Sequence, residues 1–367
     1  MSVLFKKENF CALDHQGYIS KTYEKVIITP DKFKSYALAG SIFSISNNFT
    51  SDLKSGNSRK RKKDKSIINQ EASSVQIKFE KFLQFISIDV IEHFKQNYNL
   101  VDTSSVRNIA KKYFESTIFE HANISGGNDS NLPVKCKICD DYFLIPQNSR
   151  FLCGDIKDGC KKLHGNKYNI VIADPPWWNK YIRRLKAANS KLSYSMMYNE
   201  DIATIPVTNL FADNCLVAVW CTNSPSNVTA LKELIFPNWG VEYVTTWYWL
   251  KVTRDLKPLC EFNTGCKKQP YERLIIGKVG DVKNIPEENL IVSVPSALHS
   301  HKPPLLDILS SYIAPEKPQA LELFARYLLP NTTSIGYEPL KWQHISLFEV
   351  LDQNKTDLCA LNEQNLT

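Results

Sequence analysis

The stretch Ile170-Val171-Ile172-Ala173-Asp174-Pro175-Pro176-Trp177 decides how this chain is read. Four apolar residues of β character run directly into an acid, two prolines and a tryptophan. In an open α/β sheet the carboxyl end of such a buried strand is where ligands bind. Proline fixes φ and removes the N–H donor, so the turn offers acceptors beside the Asp174 carboxylate. Trp177 adds an aromatic face at the same spot.

Outward from this strand the pattern repeats. From about residue 151, apolar β runs occur at 168–173, 215–220, 243–252, 273–279, 290–294, 320–324 and 333–336. Helical or loop segments at 199–204, 226–235 and 304–313 separate many of them. Strands alternating with helices predict a largely parallel, Rossmann-like sheet covered on both faces. The run at 273–279 follows its predecessor closely enough to be antiparallel. There is no G-x-G-x-x-G and no Walker-type phosphate loop, which counts against a nicotinamide enzyme or an NTPase.

The chain has 367 residues, 43% hydrophobic and 23% charged, which suits a globular protein with ample core. Three regions are expected. Residues 1–132 read as an N-terminal α+β accessory domain with a basic loop at about 47–74. Residues 133–350 read as the main domain, which bears this sheet, and 351–367 as a tail. Within the first region, 18–46 suggests a strand pair, 74–100 and 106–119 suggest helices, and the Gly/Asn/Ser stretch 123–131 reads as a linker.

The net charge of +7 favours polyanionic partners. Six of the eight residues in Ser58-Arg59-Lys60-Arg61-Lys62-Lys63-Asp64-Lys65 are basic, the composition of a nuclear-localisation signal or a nucleic-acid-binding arm. A nuclear protein with some cytoplasmic presence is expected. Met1-Ser2-Val3-Leu4-Phe5-Lys6-Lys7 lacks a signal-peptide core, and no run is long enough to span a membrane. Ten cysteines without a secretory signal read as mostly reduced thiols. Cys136-Lys137-Ile138-Cys139 has zinc-knuckle spacing but no matching second pair, so no metal is expected.

Asp174-Pro175-Pro176-Trp177, followed by Ser300-His301-Lys302-Pro303 and Leu321-Glu322-Leu323-Phe324-Ala325-Arg326, resembles the MT-A family of N6-adenine methyltransferases, and looks most like its methyltransferase-like protein four branch. The resemblance covers about residues 150–346. It implies a class I (Rossmann-like) S-adenosylmethionine-dependent methyltransferase sheet. In this chain the catalytic motif precedes the strand of the cofactor motif, so the implied sheet is circularly permuted.

The mechanism that the resemblance implies runs through named residues. Adenine N6 is a poor nucleophile because its lone pair is delocalised into the ring. The Asp174 carboxylate and the Pro175 carbonyl are acceptors suited to its hydrogens, with Pro176 and Trp177 completing the catalytic turn; orientation and electrostatics carry the rate. Trp177 is expected to stack the extruded base. Lys302 should meet the cofactor carboxylate and Asp174 its ammonium. Asp155 and Ile156 match the adenine-contacting pair, and Glu322, Phe324, Arg326 and Glu338 the positions around the ribose and the adenosine end. Tyr194, Trp249, Lys251 and Glu272 match substrate-side positions, while Arg183, Arg184 and Lys268 lie in basic loops suited to a phosphate backbone. The chain departs from the family at Tyr327 and Tyr337, where relatives carry asparagines.

The branch implies an RNA adenosine substrate, with a small nuclear RNA and N6-methylation of adenosine or 2′-O-methyladenosine as the expected case. The protein is expected to act as a monomeric enzyme. DNA adenine and a catalytically silent RNA-binding subunit stand as alternatives.

Overall fold

The computed structural model describes residues 2–45, 63–95, 103–116, 123–178, 196–262 and 269–351. Eleven strands among them form one mixed sheet. In spatial order these are β1 (Val3–Lys7), β2 (Phe10–Leu13), β13 (Leu290–Ser293), β11 (Glu242–Lys251), β12 (Tyr271–Val279), β10 (Phe211–Cys221), β9 (Tyr168–Ala173), β14 (Ala320–Leu323), β15 (Thr332–Gly336), β8 (Ser149–Cys153) and β5 (Ser125–Asn128). β10, β9, β14, β15 and β8 run parallel. β12 lies antiparallel to both β10 and β11, as its short connection suggested. The chain leaves β9 for β10 on one side and β14 for β15 on the other. The crevice at the carboxyl ends of β9 and β14 is therefore a topological switch point.

The two-residue period of the strands fills two separate cores. Val171 and Ala173 pack with Val217, Val219, Leu321 and Leu323 on one face. Ile170 and Ile172 pack with Leu216, Ala218 and Ala320 on the other. The first face is covered by Ile156 and Cys160 of the helix Ile156–Lys162 and by Leu231, Ile235, Phe236 and Trp239. Ile308 and Leu309 cover the second. Strands buried on both faces are apolar at most positions, which is why they read as near-continuous runs.

A smaller sheet has the order β16 (Phe348–Leu351), β4 (Lys32–Leu38), β3 (Val26–Thr29), β6 (Val134–Ile138) and β7 (Asp141–Ile145). Each sheet draws strands from both sides of residue 132, so the expected boundary there does not separate the two sheets. β2 pairs in parallel with β13 and lengthens the large sheet. The stretch expected as a linker contains β5. Its glycines allow the close pairing with β8: a Cβ on Gly126 would lie 2.9 Å from the Phe151 ring, and one on Gly127 2.5 Å from the Ser149 carbonyl oxygen.

The helical prediction for 74–100 resolves into two helices, Lys63–Phe85 and Ile88–Lys95. A third, Thr103–Ser116, covers most of the run at 106–119. The first helix begins inside the loop expected at 47–74. Val75, Phe79 and Phe82 pack it against Phe10, Ala12, Leu290 and Val292 of β2 and β13. Residues 58–62 of the basic segment and the tail beyond 351 lie outside the described residues. No helix among those described is long and apolar enough to cross a membrane.

Candidate active site

Asp174 follows β9 directly, and its main-chain N–H donates to the Leu323 carbonyl at the end of β14 (3.3 Å). The two strand ends that bound the switch point are thus tied at the acid itself. The Pro175 carbonyl accepts the Trp177 N–H at 2.8 Å, and the Pro176 carbonyl accepts the Met197 N–H at 2.9 Å. A carbonyl has two lone pairs, so Pro175 keeps acceptor capacity.

Two further strands and a loop supply charge around Asp174. Glu272 on β12 accepts from both Lys251 on β11 and Lys302 in the loop after β13. Lys302 Nζ also lies 3.6 Å from Asp174 Oδ1. The four side chains alternate in sign along Asp174–Lys302–Glu272–Lys251. Beneath them, Lys251 Nζ sits 4.6 Å from the Trp249 ring centroid and Lys302 Nζ 5.3 Å from that of Trp220. The two indoles meet edge to face at 5.5 Å.

Burial sets the protonation of this group, with the neighbours deciding the sign. Burial pushes the Asp174 carboxyl above its usual range, and Lys302 and Arg326 reverse only part of that. Burial also disfavours the Glu272 carboxylate, but two lysines outweigh it and hold Glu272 well below the ordinary range. Lys302 loses solvation yet is held above its usual value by Asp174 and Glu272. The network is therefore built around a firmly charged lysine.

Lys302 is aimed from behind. His301 is buried, stands 4.5 Å edge-on from Tyr327, and shares a bond with Ser296 Oγ at 3.0 Å through Nδ1. Burial lowers its pKa to about 3, so it is a neutral packing group. The Tyr327 hydroxyl donates to the Lys302 carbonyl at 2.7 Å. Tyr327 thus lies in the core behind Lys302. The second departure, Tyr337, is 39% exposed and donates to Asp155 Oδ2 at 3.3 Å.

The remaining expected cofactor positions ring the same strand ends. Asp155 caps the helix Ile156–Lys162, accepting the Lys157 and Asp158 N–H groups, and Ile156 is buried below it. Phe324 is buried in a left-handed conformation (φ 63°), which turns the chain sharply at the end of β14. Gly336 ends β15, where a Cβ would come 3.0 Å from the Ala325 carbonyl oxygen. Arg326 Nη1 donates to His299 Nδ1 at 2.8 Å, and burial with nearby cations lowers His299 to about 3. Glu338 forms a buried pair with Lys341 at 2.8 Å.

Glu322 differs from the rest. It is 7% exposed, its Oε2 has no hydrogen-bond partner among the described residues, and burial pushes its pKa up to about 8, with the Asp174 charge adding. A buried, unpartnered acid calls for an explanation, and an absent ligand hydroxyl is a sufficient one. A cavity of about 290 Å³ opens beside Asp155, lined also by Asn123, Gly154, Asp158 and Lys162. It meets the charged network nowhere.

Two aromatic expectations need correction. Trp177 is 6% exposed, packs in the core, and donates its indole N–H to the Trp220 carbonyl at 2.9 Å. Trp249 is 2% exposed and donates to Ser293 Oγ at 2.8 Å. Apolar packing claims both rings, so neither presents a free face. Tyr194, Arg183, Arg184 and Lys268 lie outside the described residues. Tyr327, His299 and Trp220 were not assigned site roles from the sequence; Trp220, at the end of an apolar run, carried the one readable signal.

Residues 168–338 match the MT-A70 family model. That stretch is similar to the MT-A70 family over a little under half of the chain. The human "N(6)-adenine-specific methyltransferase METTL4" is 38% identical over 234 residues, which are 60% of this chain and 48% of the human protein. The Caenorhabditis elegans "DNA N6-methyl methyltransferase" is 39% identical over 214 residues, 56% of this chain and 55% of its own length. The "N6-methyladenosine RNA methyltransferase MTA1" of Cryphonectria parasitica is 32% identical over 206 residues, 54% and 60% of the respective chains. The chain spans about half the length of the curated relatives it matches. The matched residues contain the whole Asp174–Lys302–Glu272–Lys251 network and Glu322, whereas β1, β2, β5, β8 and all of the small sheet lie outside them.

Proposed function

We propose that this chain is an S-adenosylmethionine-dependent N6-adenine methyltransferase acting on RNA. The observation that carries the proposal is the Asp174–Lys302–Glu272 cluster at the switch point, within the residues that match MT-A70. The sheet order supports a circularly permuted class I arrangement, because β14, which bears the cofactor motif, follows β9 in the chain yet lies beside it.

The residues fit the cofactor. An ammonium has three donors; Lys302 directs two at Glu272 and Asp174, leaving one for the cofactor carboxylate. The orphan Glu322 Oε2, largely protonated at neutral pH, suits a ribose hydroxyl that both donates and accepts. Asp155 and Glu338 frame the adenosine end. The bound cofactor supplies an electrophilic methyl group on a sulfonium.

On the substrate side, the Asp174 carboxylate accepts one N6 hydrogen and the Pro175 carbonyl accepts the other. That fixes the nitrogen in plane and aims its density at the methyl group. These acceptors are held before substrate arrives, so no reorganisation is needed as charge shifts. Lys302 keeps Asp174 from swinging away, and the loss of an N6 proton completes the exchange of hydrogen for methyl.

RNA is favoured by the family branch that the motifs resemble; DNA is the second reading, favoured by the printed name of the worm relative. Monomeric action and a nuclear location belong to the same proposal, the latter resting on the basic segment 58–65. The test incubates purified protein with labelled S-adenosylmethionine and either RNA or DNA pools, beside Asp174→Ala. Label entering RNA with the wild type alone is the expected result. Equal incorporation by both proteins overturns the role of Asp174, and preferential labelling of DNA overturns the substrate. Absence of cofactor binding by calorimetry, with nucleic acid present, overturns the activity.

A further inference from the structure

With Trp177 buried, the target site needs another aromatic surface if it is to hold an unstacked nucleotide. One stands immediately beyond the catalytic turn. The rings of Trp178 and Tyr198 are stacked, with centroids 5.9 Å apart and planes 19° from parallel. Main-chain bonds pin both residues: Met197 N–H donates to the Pro176 carbonyl at 2.9 Å, and Trp178 N–H to the Met197 carbonyl at 3.1 Å. Tyr198 also precedes the helix Asn199–Ala203, whose Ile202 N–H donates to the Tyr198 carbonyl at 3.1 Å. Despite this fixed backbone, Tyr198 is 57% exposed.

A tyrosine anchored at its main chain, backed by an indole and open on the outside, is a prearranged two-ring stack. We infer that Trp178 and Tyr198 form a platform on which a nucleobase next to the target adenine stacks in single-stranded nucleic acid. The inference rests on the methyltransferase reading above and deepens it. Stacking on an aromatic ring holds any base, because every base has a π-face. It therefore holds the strand without reading sequence. Prior stacking of the two rings also means that little side-chain freedom is lost on binding. The platform is one residue past Trp177, so a neighbouring nucleotide held there leaves the adenine free to turn toward Asp174 and the Pro175 carbonyl.

The test uses short RNA oligonucleotides with 2-aminopurine on the 5′ or the 3′ side of the target adenine, since stacking quenches the emission of this analogue. With the wild-type protein and S-adenosylhomocysteine, quenching is expected at one of the two positions. Tyr198→Ala and Trp178→Ala should abolish it and raise KM for the RNA by roughly five- to a hundredfold. Cofactor affinity and kcat should stay within twofold, and Tyr198→Phe should behave as wild type. Tyr198→Ala, altering a mostly exposed side chain, is the variant that reports even if Trp178→Ala fails to fold. If the wild type binds the RNA by anisotropy and quenching persists in Tyr198→Ala, the platform is refuted while the methyltransferase reading stands. If the wild type binds neither RNA nor DNA, both fall.

Discussion

Glu272→Gln should destabilise the protein by leaving two lysines around one neutral amide. In the wild type, Glu272 touches both Lys251 and Lys302, and the side chains of Lys251, Glu272 and Lys302 are 23%, 28% and 12% exposed. Removing one partner of a buried pair typically costs about 3–5 kcal/mol. Partial exposure argues for the low end, about 3 kcal/mol. Each kcal/mol is worth roughly 2–4 °C in a domain of 150–250 residues, so a fall in Tm of about 6–12 °C is expected, less if the longer chain melts as one unit. Adding Lys251→Met removes the surplus positive charge. The double variant should then be more stable than the sum of the single effects by at least about 1 kcal/mol. Urea unfolding at constant m, run for wild type, both singles and the double, measures the coupling. Additivity within about 0.5 kcal/mol would refute the view that Glu272 acts by balancing the lysines.

The same network fixes a pH dependence. Glu272 is held below its unfolded value, so its contribution is present above the ordinary carboxylate range and is lost as pH falls through the folded value. Asp174→Asn should abolish methyl transfer, by 100-fold or more as for loss of a preorganised charge interaction. Because the Asp174 carboxyl is raised, ionising it in the fold costs stability, so the same variant should melt no lower than wild type at pH 7.5. For Glu322, whose pKa is about 8, wild type should lose stability as pH rises from about 4.5 toward 8. Glu322→Gln should not, and the gap between their Tm values should widen across that window. Tyr327→Phe, which strips the Lys302 carbonyl of its donor, should cost about 1–3 kcal/mol in stability. It should weaken cofactor binding by calorimetry more than it raises KM for nucleic acid.

All seven strands proposed from apolar runs are present, because strands covered on both faces bury most of their side chains and so keep few polar ones. β1 and β5 were not legible. β1 carries the charged Lys6 and Lys7 at its end, and β5 contains Gly126 and Gly127, which signal a turn unless Phe151 and Ser149 are known to press against them. In the site, Asp174 and Lys302 were named from motifs and Glu272 as a substrate-side position that the resemblance implies, and the three meet in space although β9, β12 and the loop after β13 are far apart in the chain. The aromatic residues were harder to read. A tryptophan sunk in the core and one half-buried against a surface tyrosine look identical in sequence; only packing separates Trp177 from Trp178. Tyr327 read as a departure within the cofactor motif, whereas its hydroxyl reaches backward to the main chain of Lys302.

The strand order also governs how the chain assembles. β14 and β15 occupy the middle of the sheet, yet during synthesis they emerge after the two strands they separate, β9 and β8. Ile335 must find Leu152 across about 180 residues, a closure that slows folding. Until it does, β8 and β9 each have an unpaired inner edge, the kind of edge that invites pairing with other chains. The catalytic crevice is completed by the same event, since Asp174 and Leu323 are joined only when β14 inserts. A nascent or truncated chain lacking the residues from 320 onward would carry the full acidic turn and no pocket, and would be more prone to aggregate than to catalyse.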